Sequence, residues 1–360
     1  MRFDFADEQR LASSELRSFL EKECSAERLR AIWATESGRS PALWARLVAL
    51  GLPGALVPAE HGGLGLDEID LVLLLEETGR AALAEPVLET AAVAVPLLRD
   101  AGDGERASRW LPAVATGEAV LTLGHPSQPA VADAHVADLL LLPAEDEIHA
   151  VPRERTRLVP QPASDPARRL FAVEWRPSRE TRLAEGEAAR RLLEDAFDRA
   201  ALGSAAQLVG IAQALVDRAV AYAKQREQFG RPIGSFQAVQ HMLATAQVGI
   251  EFARPVVYRA AHSVARRLAA RSLDVSQAKA TASEAAARAA RAALQVHGAI
   301  GYTWEVDLHL WMKRAWALGA AWGGAGWHRR RLARALLDEP AGALSFGFEP
   351  RPGDAGEGGS

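Results

Sequence analysis

Between Tyr222 and Gln240, the stretch YAKQREQFGRPIGSFQAVQ places a cation (Arg226), a neutral amide (Gln228) and an aromatic ring (Phe229) within four residues. A guanidinium donates two parallel hydrogen bonds from a planar fork to anionic oxygens, and an aromatic ring stacks on a flat heterocycle. The trio therefore suits a pyrophosphate and an adenine ring, although composition alone favours an ordinary helical hairpin with a solvated arginine. A second cluster, QVHGAIGYTWEVD, sets Gln295 beside the Gly298/Gly301 pair. Those glycines predict a turn where backbone can approach a ligand closely. His61, in a Gly- and Pro-rich run, reads as a loop residue without a catalytic role.

Helices must hold both clusters. Leu208, Ile211, Leu215, Ala219 and Tyr222 recur at spacings of three and four and share one helical face. Gly230 and Pro232 close that helix, and Ser235 is a plausible N-cap for the next one. Pro255 should bend or interrupt that second helix. The run Ser276–Leu294 is mostly alanine, without glycine or proline, and suits close helix–helix approach.

The remaining chain divides by texture into residues 1–118, 119–180, 181–338 and 339–360. The first part reads as helical, with stripes at Leu11, Leu16, Phe19 and Leu20 and at Leu43, Leu47 and Leu50. GLPGALVPAEHGGLGL is a loop, and Asp67 N-caps a helix through Leu71, Leu74, Leu75 and Thr78. Further helices are predicted over Pro86–Asp100 and 105–116. From Ala119, short apolar runs (Ala119–Leu123, Val136–Leu142, Leu170–Val173) alternate with Pro, Asp and Gly clusters, which predicts a small β-domain of few strands. The expected fold is mainly α with a small central β-domain, and the Gly- and Pro-rich tail from Glu339 is expected to be disordered.

Hydrophobic residues at 49% and charged residues at 24% describe a globular chain, and a net charge of -4 gives no support for nucleic-acid binding. The single cysteine, Cys24, excludes an internal disulfide framework and a Cys-rich metal site. The N-terminal MRFDFADEQR carries acids where a signal peptide needs an apolar run, and no stretch looks like a membrane span of about 20 apolar residues. A cytoplasmic location is the expectation.

The order of helical and β parts, the loop GLPGALVPAEHGGLGL with the helix ending EETGR, and above all YAKQREQFGRPIGSFQAVQH and QVHGAIGYTWEVDLHLWMKRA resemble the acyl-CoA dehydrogenase family of flavoproteins. The resemblance runs from Phe3 to about Leu337. It implies an N-terminal helical domain, a β-domain, a C-terminal four-helix bundle, FAD as cofactor, an acyl-CoA substrate and an oligomer in which a neighbouring subunit holds the adenosine-diphosphate half of FAD. By motif, Arg226, Gln228 and Phe229 would meet the pyrophosphate and adenine, and Gln237, Gln295 and Ala299 would line the same cofactor. Ala299 stands where many members have glycine.

Two departures from the family pattern matter. The family's catalytic Glu position falls on Trp322, and no acid occurs between Asp307 and Asp338. In a subset of the family the Glu lies elsewhere, at a position occupied here by Ala200, with Ala201 where an Arg often binds substrate. Asp195 and Asp198 lie close enough to substitute, but a solvated helix face is the reading their positions favour. The flavin-contacting Thr-Glu-Pro…Gly-Ser-Asp segment is also missing, and Thr122 and Ser127 are the only hydroxyls left nearby. The expectation is a subunit without its own base that completes the FAD site of a paralogous partner, as in heteromeric bacterial members acting on steroid side chains. Open alternatives are a homomeric dehydrogenase or oxidase with a relocated base, a non-catalytic scaffold, and a secondary-metabolism enzyme. Trp316, Trp322 and Trp327 are expected near the pocket floor, where they either meet substrate or pack the core.

Overall fold

The computed structural model describes residues 4–337; the tail expected to be disordered lies outside the described residues. Six helices come first: α1 (Asp7–Glu23), α2 (Ala26–Ala34), α3 (Pro41–Ala49), α4 (Glu68–Arg80), α5 (Val95–Asp100) and α6 (Gly104–Ala115). Local chemistry sets their starts. Ser25, Ser40, Asp67 and Asp103 each accept a backbone N–H of the first turn, satisfying a donor that has no partner within the helix. A π-helical stretch, Leu88–Ala94, runs directly into α5.

Two of the expected stripes are shorter than the sequence suggests. Leu16 and Leu20 are buried but Leu11 is exposed, because five residues turn a helix about 140° off its starting face. Leu43 and Leu47 are buried, whereas Leu50 caps the end of α3 and faces solvent.

The central part is richer in strands than expected. Seven short ones follow: β1 (Leu121–Leu123), β2 (Val131–Ala132), β3 (Leu139–Ala144), β4 (Glu147–Pro152), β5 (Arg157–Gln161), β6 (Leu170–Glu174) and β7 (Arg182–Glu185). They form a four-stranded sheet ordered β1-β3-β4-β7, with β1 and β3 parallel, and a three-stranded antiparallel sheet ordered β2-β6-β5. Val131, Ala134, Ala137, Leu140, Leu142, Val151 and Phe171 close a small core of their own between them.

The last part is a helical bundle of α7 (Gly186–Gln225), α8 (Gln237–Ala265), α9 (Arg271–His297), α10 (Leu308–Ala320) and α11 (Ala325–Leu337). Between α7 and α8 the chain forms a hairpin, β8 (Glu227–Gln228) and β9 (Arg231–Pro232), rather than a simple turn. Phe229 and Gly230 both have positive φ, 56° and 76°, the conformation that a two-residue hairpin loop requires. Ser235 does not cap α8. Its hydroxyl donates to the Pro232 carbonyl, and the helix starts after Phe236. Nor does Pro255 interrupt α8, which runs through it to Ala265; the carbonyl it leaves unbonded belongs to the exposed Glu251 and can be hydrated.

Helix α7 is the axis of the molecule. An 18-residue window of it has a mean hydropathy of 1.3, long and apolar enough to cross a membrane, contrary to the sequence expectation; 89% of that window is buried inside the fold, as in a core helix. Its contact with α4 is made by glycines. A Cβ at Gly79 would collide with the carbonyl oxygen of Gln207, and one at Gly210 with that of Glu76. Gly→Ala in a helix interior ordinarily gains up to about 1 kcal/mol. At Gly79 or Gly210 the sign should reverse, with a loss of about 2–3 kcal/mol in denaturant unfolding, because overpacking forces backbone apart. An unchanged or raised unfolding midpoint for Gly79→Ala and Gly210→Ala would show that the two helices are not in this contact.

Candidate functional site

The residues expected to touch a cofactor all face outward. Arg226, Gln228, Phe229, Gln237, Gln295 and Ala299 are exposed, and Phe229 retains 93% of its accessible surface. The β8–β9 hairpin holds Phe229 beyond the bundle, with its ring edge-on to Phe236 at 6.1 Å and Arg231 over Phe236 at 4.2 Å. Among the described residues the Arg226 guanidinium has no ion pair and no side-chain hydrogen bond, whereas Gln228 donates to its neighbour's carbonyl at 2.6 Å. An unpaired, exposed guanidinium beside an exposed ring is a donor set for a dianionic, partly aromatic ligand lying outside this chain's own core. Gly298, at the end of α9, has φ 64° and open space where a Cβ would stand, while its N–H closes the helix on the Leu294 and Gln295 carbonyls. This outward half fits the pyrophosphate and adenine of FAD.

The inward half has a different character. Trp322 sits in the short corner between α10 and α11, 4% exposed, in a left-handed conformation (φ 54°) unusual for a bulky residue. Its indole N–H has no partner among the described residues. Phe197, 6% exposed, comes from the turn of α7 that precedes Ala200 and Ala201, both fully buried. The His125 ring, from the loop after β1, lies 5.5 Å from Phe197 and 5.7 Å from Trp322. Trp327 packs on Phe197 at 5.0 Å, and His328 on Trp327 at 4.8 Å. Trp316 is exposed and makes no ring contact with this cluster among the described residues.

The hydroxyls and acids nearby are already engaged. Thr122 donates to the Ala132 carbonyl at 2.7 Å and is buried, and Ser127 is bonded to His125 Nδ1 at 2.7 Å. The two Asp198 oxygens accept from Arg331 at 2.8 Å and from Ser272 at 2.5 Å; Asp195 accepts from Arg271 at 3.0 Å. His61 ends a single 3-10 turn in the loop before α4. Among the described residues, Asp195, Asp198, Thr122 and Ser127 are thus all engaged, and none is a free carboxylate or hydroxyl where the resemblance calls for a base or a flavin contact.

Sequence reading missed Lys279 and His328. Lys279 lies in the alanine-rich α9, fully buried, and its ammonium donates to the carbonyls of Leu318 (2.9 Å), Gly319 (3.2 Å) and Gly323 (3.2 Å) and to Ser283 Oγ. It therefore ties down the α10–α11 corner that carries Trp322. Burial, with Arg168 nearby, pushes its pKa down to about 7. His328 bridges Ser276 Oγ (3.1 Å) and the Trp322 carbonyl (2.9 Å). The available signal was a lone lysine on an otherwise apolar helix face, since such a residue needs buried acceptors.

Comparison with known proteins follows the same lines. Residues 6–118 match the family model for the acyl-CoA dehydrogenase N-terminal domain, and residues 190–337 match that for the C-terminal domain. The acyl-CoA dehydrogenase IpdE2 of Mycolicibacterium smegmatis is 33% identical over 311 residues, which cover 86% of this chain and 93% of that protein. The ChsE4–ChsE5 complex from Mycobacterium tuberculosis superposes with a TM-score of 0.86 at 25% identity, covering 95% of this chain and 100% of the matched one. The steroid dehydrogenase variant Tcur3481–Tcur3483 gives 0.83 at 26% identity, covering 92% and 98%.

Burial pushes both His125 and His328 down to about 4. Both are therefore neutral in the fold when free histidine, at about 6.5, begins to charge. Between pH 6.5 and 4 the unfolded chain binds protons that the fold refuses, so stability is complete above 6.5 and falls as pH drops. Urea unfolding of wild type should lose up to about 3 kcal/mol per histidine across that window. His328→Asn should flatten the slope; an identical pH dependence in the variant would mean that His328 is not held neutral.

Proposed function

The chain belongs to the acyl-CoA dehydrogenase family, FAD-dependent oxidoreductases acting on CH–CH groups, and from that premise we propose that it is the base-lacking subunit of a heteromeric enzyme. Its role is to complete the FAD site of a paralogous partner and to stabilise the assembly. The observation that carries this reading is the disagreement between the two halves of the site. The outward donors Arg226, Gln228, Phe229, Gln237 and Gln295 are present and exposed, whereas Trp322 and Ala200, both buried, stand where the family resemblance would put a base.

Bound FAD supplies the hydride acceptor for α,β-dehydrogenation of an acyl thioester. This chain's contribution is recognition. Arg226 would donate to the pyrophosphate oxygens, Phe229 would meet the adenine, and Gln237, Gln295 and Ala299 would line the same cofactor. Removal of the α-proton needs a free carboxylate within hydrogen-bonding reach, and that group belongs to the partner. Asp195 and Asp198 are poor substitutes here, because each is already neutralised by an arginine and Asp198 is buried besides. One similar structure is a two-protein complex and another a steroid dehydrogenase, which supports a heteromer and a steroid or lipid side-chain acyl-CoA as substrate. The cytoplasm is the proposed location.

The test is flavin stoichiometry. The chain purified alone should be colourless. Co-purified with its paralogous partner it should give a yellow complex with about half a flavin per chain, since each unlike pair builds one complete site. Arg226→Ala should then cut the flavin content of the complex at least tenfold without changing its mass, the loss of a charge-assisted pair being worth about 1.5–3 kcal/mol. A yellow homo-oligomer with one flavin per chain and full turnover would overturn the proposal, and loss of that turnover in Asp198→Asn would identify a relocated base.

A further inference from the structure

Three segments that the family resemblance assigns to the acyl and flavin-ring pocket are far apart in this sequence: the loop after β1, the turn of α7 ahead of Ala200–Ala201, and the α10–α11 corner. Each contributes one aromatic ring, His125, Phe197 and Trp322, and the three rings touch one another. Both alternative base positions converge on this cluster, because Trp322 occupies one and Phe197 lies a single helical turn before the other. We propose that His125, Phe197 and Trp322 form a built-in plug that fills this chain's own acyl-binding position. The proposal rests on the reading of the chain as the base-lacking subunit and adds how its own site is closed.

The geometry gives the plug a fixed backbone and a cost. Lys279 holds the carbonyls of Leu318, Gly319 and Gly323 on either side of Trp322, and His328 holds the Trp322 carbonyl itself. A left-handed tryptophan with an unpaired buried N–H is expensive in both backbone strain and desolvation. Four hydrogen bonds from two side chains over-determine the corner and keep the ring pointed at Phe197. Trp327 closes the cluster on its outer side. An acyl chain cannot enter while these rings are in contact, so thioester binding is left to the partner's site.

The experiment counts acyl-CoA and flavin separately on the same samples, by calorimetry and by absorbance, with octanoyl-CoA and the fused-ring cholyl-CoA as probes. The wild-type chain alone should bind neither probe, and its complex with the partner should bind at most half an equivalent per chain. Phe197→Ala/Trp322→Ala should raise the count toward one per chain in the complex. The milder pair Phe197→Leu/Trp322→Leu serves if the alanine variant does not fold. One equivalent per chain in the wild-type complex would overturn the plug, as would a folded double variant in which the count does not rise. The flavin count judges the heteromeric reading independently. A homo-oligomer with one flavin per chain that still binds no acyl-CoA would sink that reading and leave the plug standing.

Discussion

The close contact between α7 and its neighbours is the constraint on which the rest of the structure depends. Over most of its length α7 has no solvent face, and it meets α4 through Gly79 and Gly210, where backbone touches backbone. On the other side it packs against α9, whose buried positions are largely alanine. Small residues on both faces let three helices share one axis at short distance, and larger side chains would push the bundle apart. The position of α7 then sets two distant features at once. Its N-terminal half carries Phe197 and Asp198 toward the β-domain and the α10–α11 corner, and its C-terminal end launches the β8–β9 hairpin out of the bundle.

Those two ends have opposite physical characters. At the hairpin the Arg226 guanidinium has no intramolecular partner among the described residues and the Phe229 ring is almost wholly exposed, so the charge is hydrated and the cost of the surface lies in the apolar ring. At the other end the charged and hydroxyl groups around Trp322 are committed, Asp198 to Arg331 and Ser272, Thr122 to Ala132 and Lys279 to three carbonyls, while the Trp322 indole N–H is left without a partner among the described residues. Buried charge persists only when paired or hydrogen-bonded, so this region is built as a core. One chain thus combines an exposed polar and aromatic hairpin at one end of α7 with a closed aromatic interior at the other.

Much of the fold could be read directly. In the stripe Leu208–Ile211–Leu215–Ala219–Tyr222 all but the half-buried Tyr222 are fully buried, Asp67 caps α4, and a strand overlaps each of the three apolar runs of the central part. Periodicity and capping are local, so they survive in the sequence. The misreadings were also local rules overridden by context. Leu11 has the right type but the wrong rotation; Pro255 sits where its freed carbonyl can be hydrated; Ser235 bonds backward to Pro232 rather than forward into α8. The hairpin was taken for a turn because two-residue strands carry no periodic signal.

The sequence by itself determined the family, through the motifs around Arg226 and Gln295, and it showed no acid between Asp307 and Asp338, because an absent residue type needs no coordinates to notice. Only the tertiary structure decided what replaced it. Residues 125, 197 and 322 share no spacing that one dimension could reveal, and their contact follows from the β-domain, α7 and α10 packing together. The same holds for Lys279, whose acceptors lie about forty residues along the chain. Ring contacts and buried hydrogen bonds act over a few ångströms in space regardless of separation in sequence, and so they are settled by packing alone.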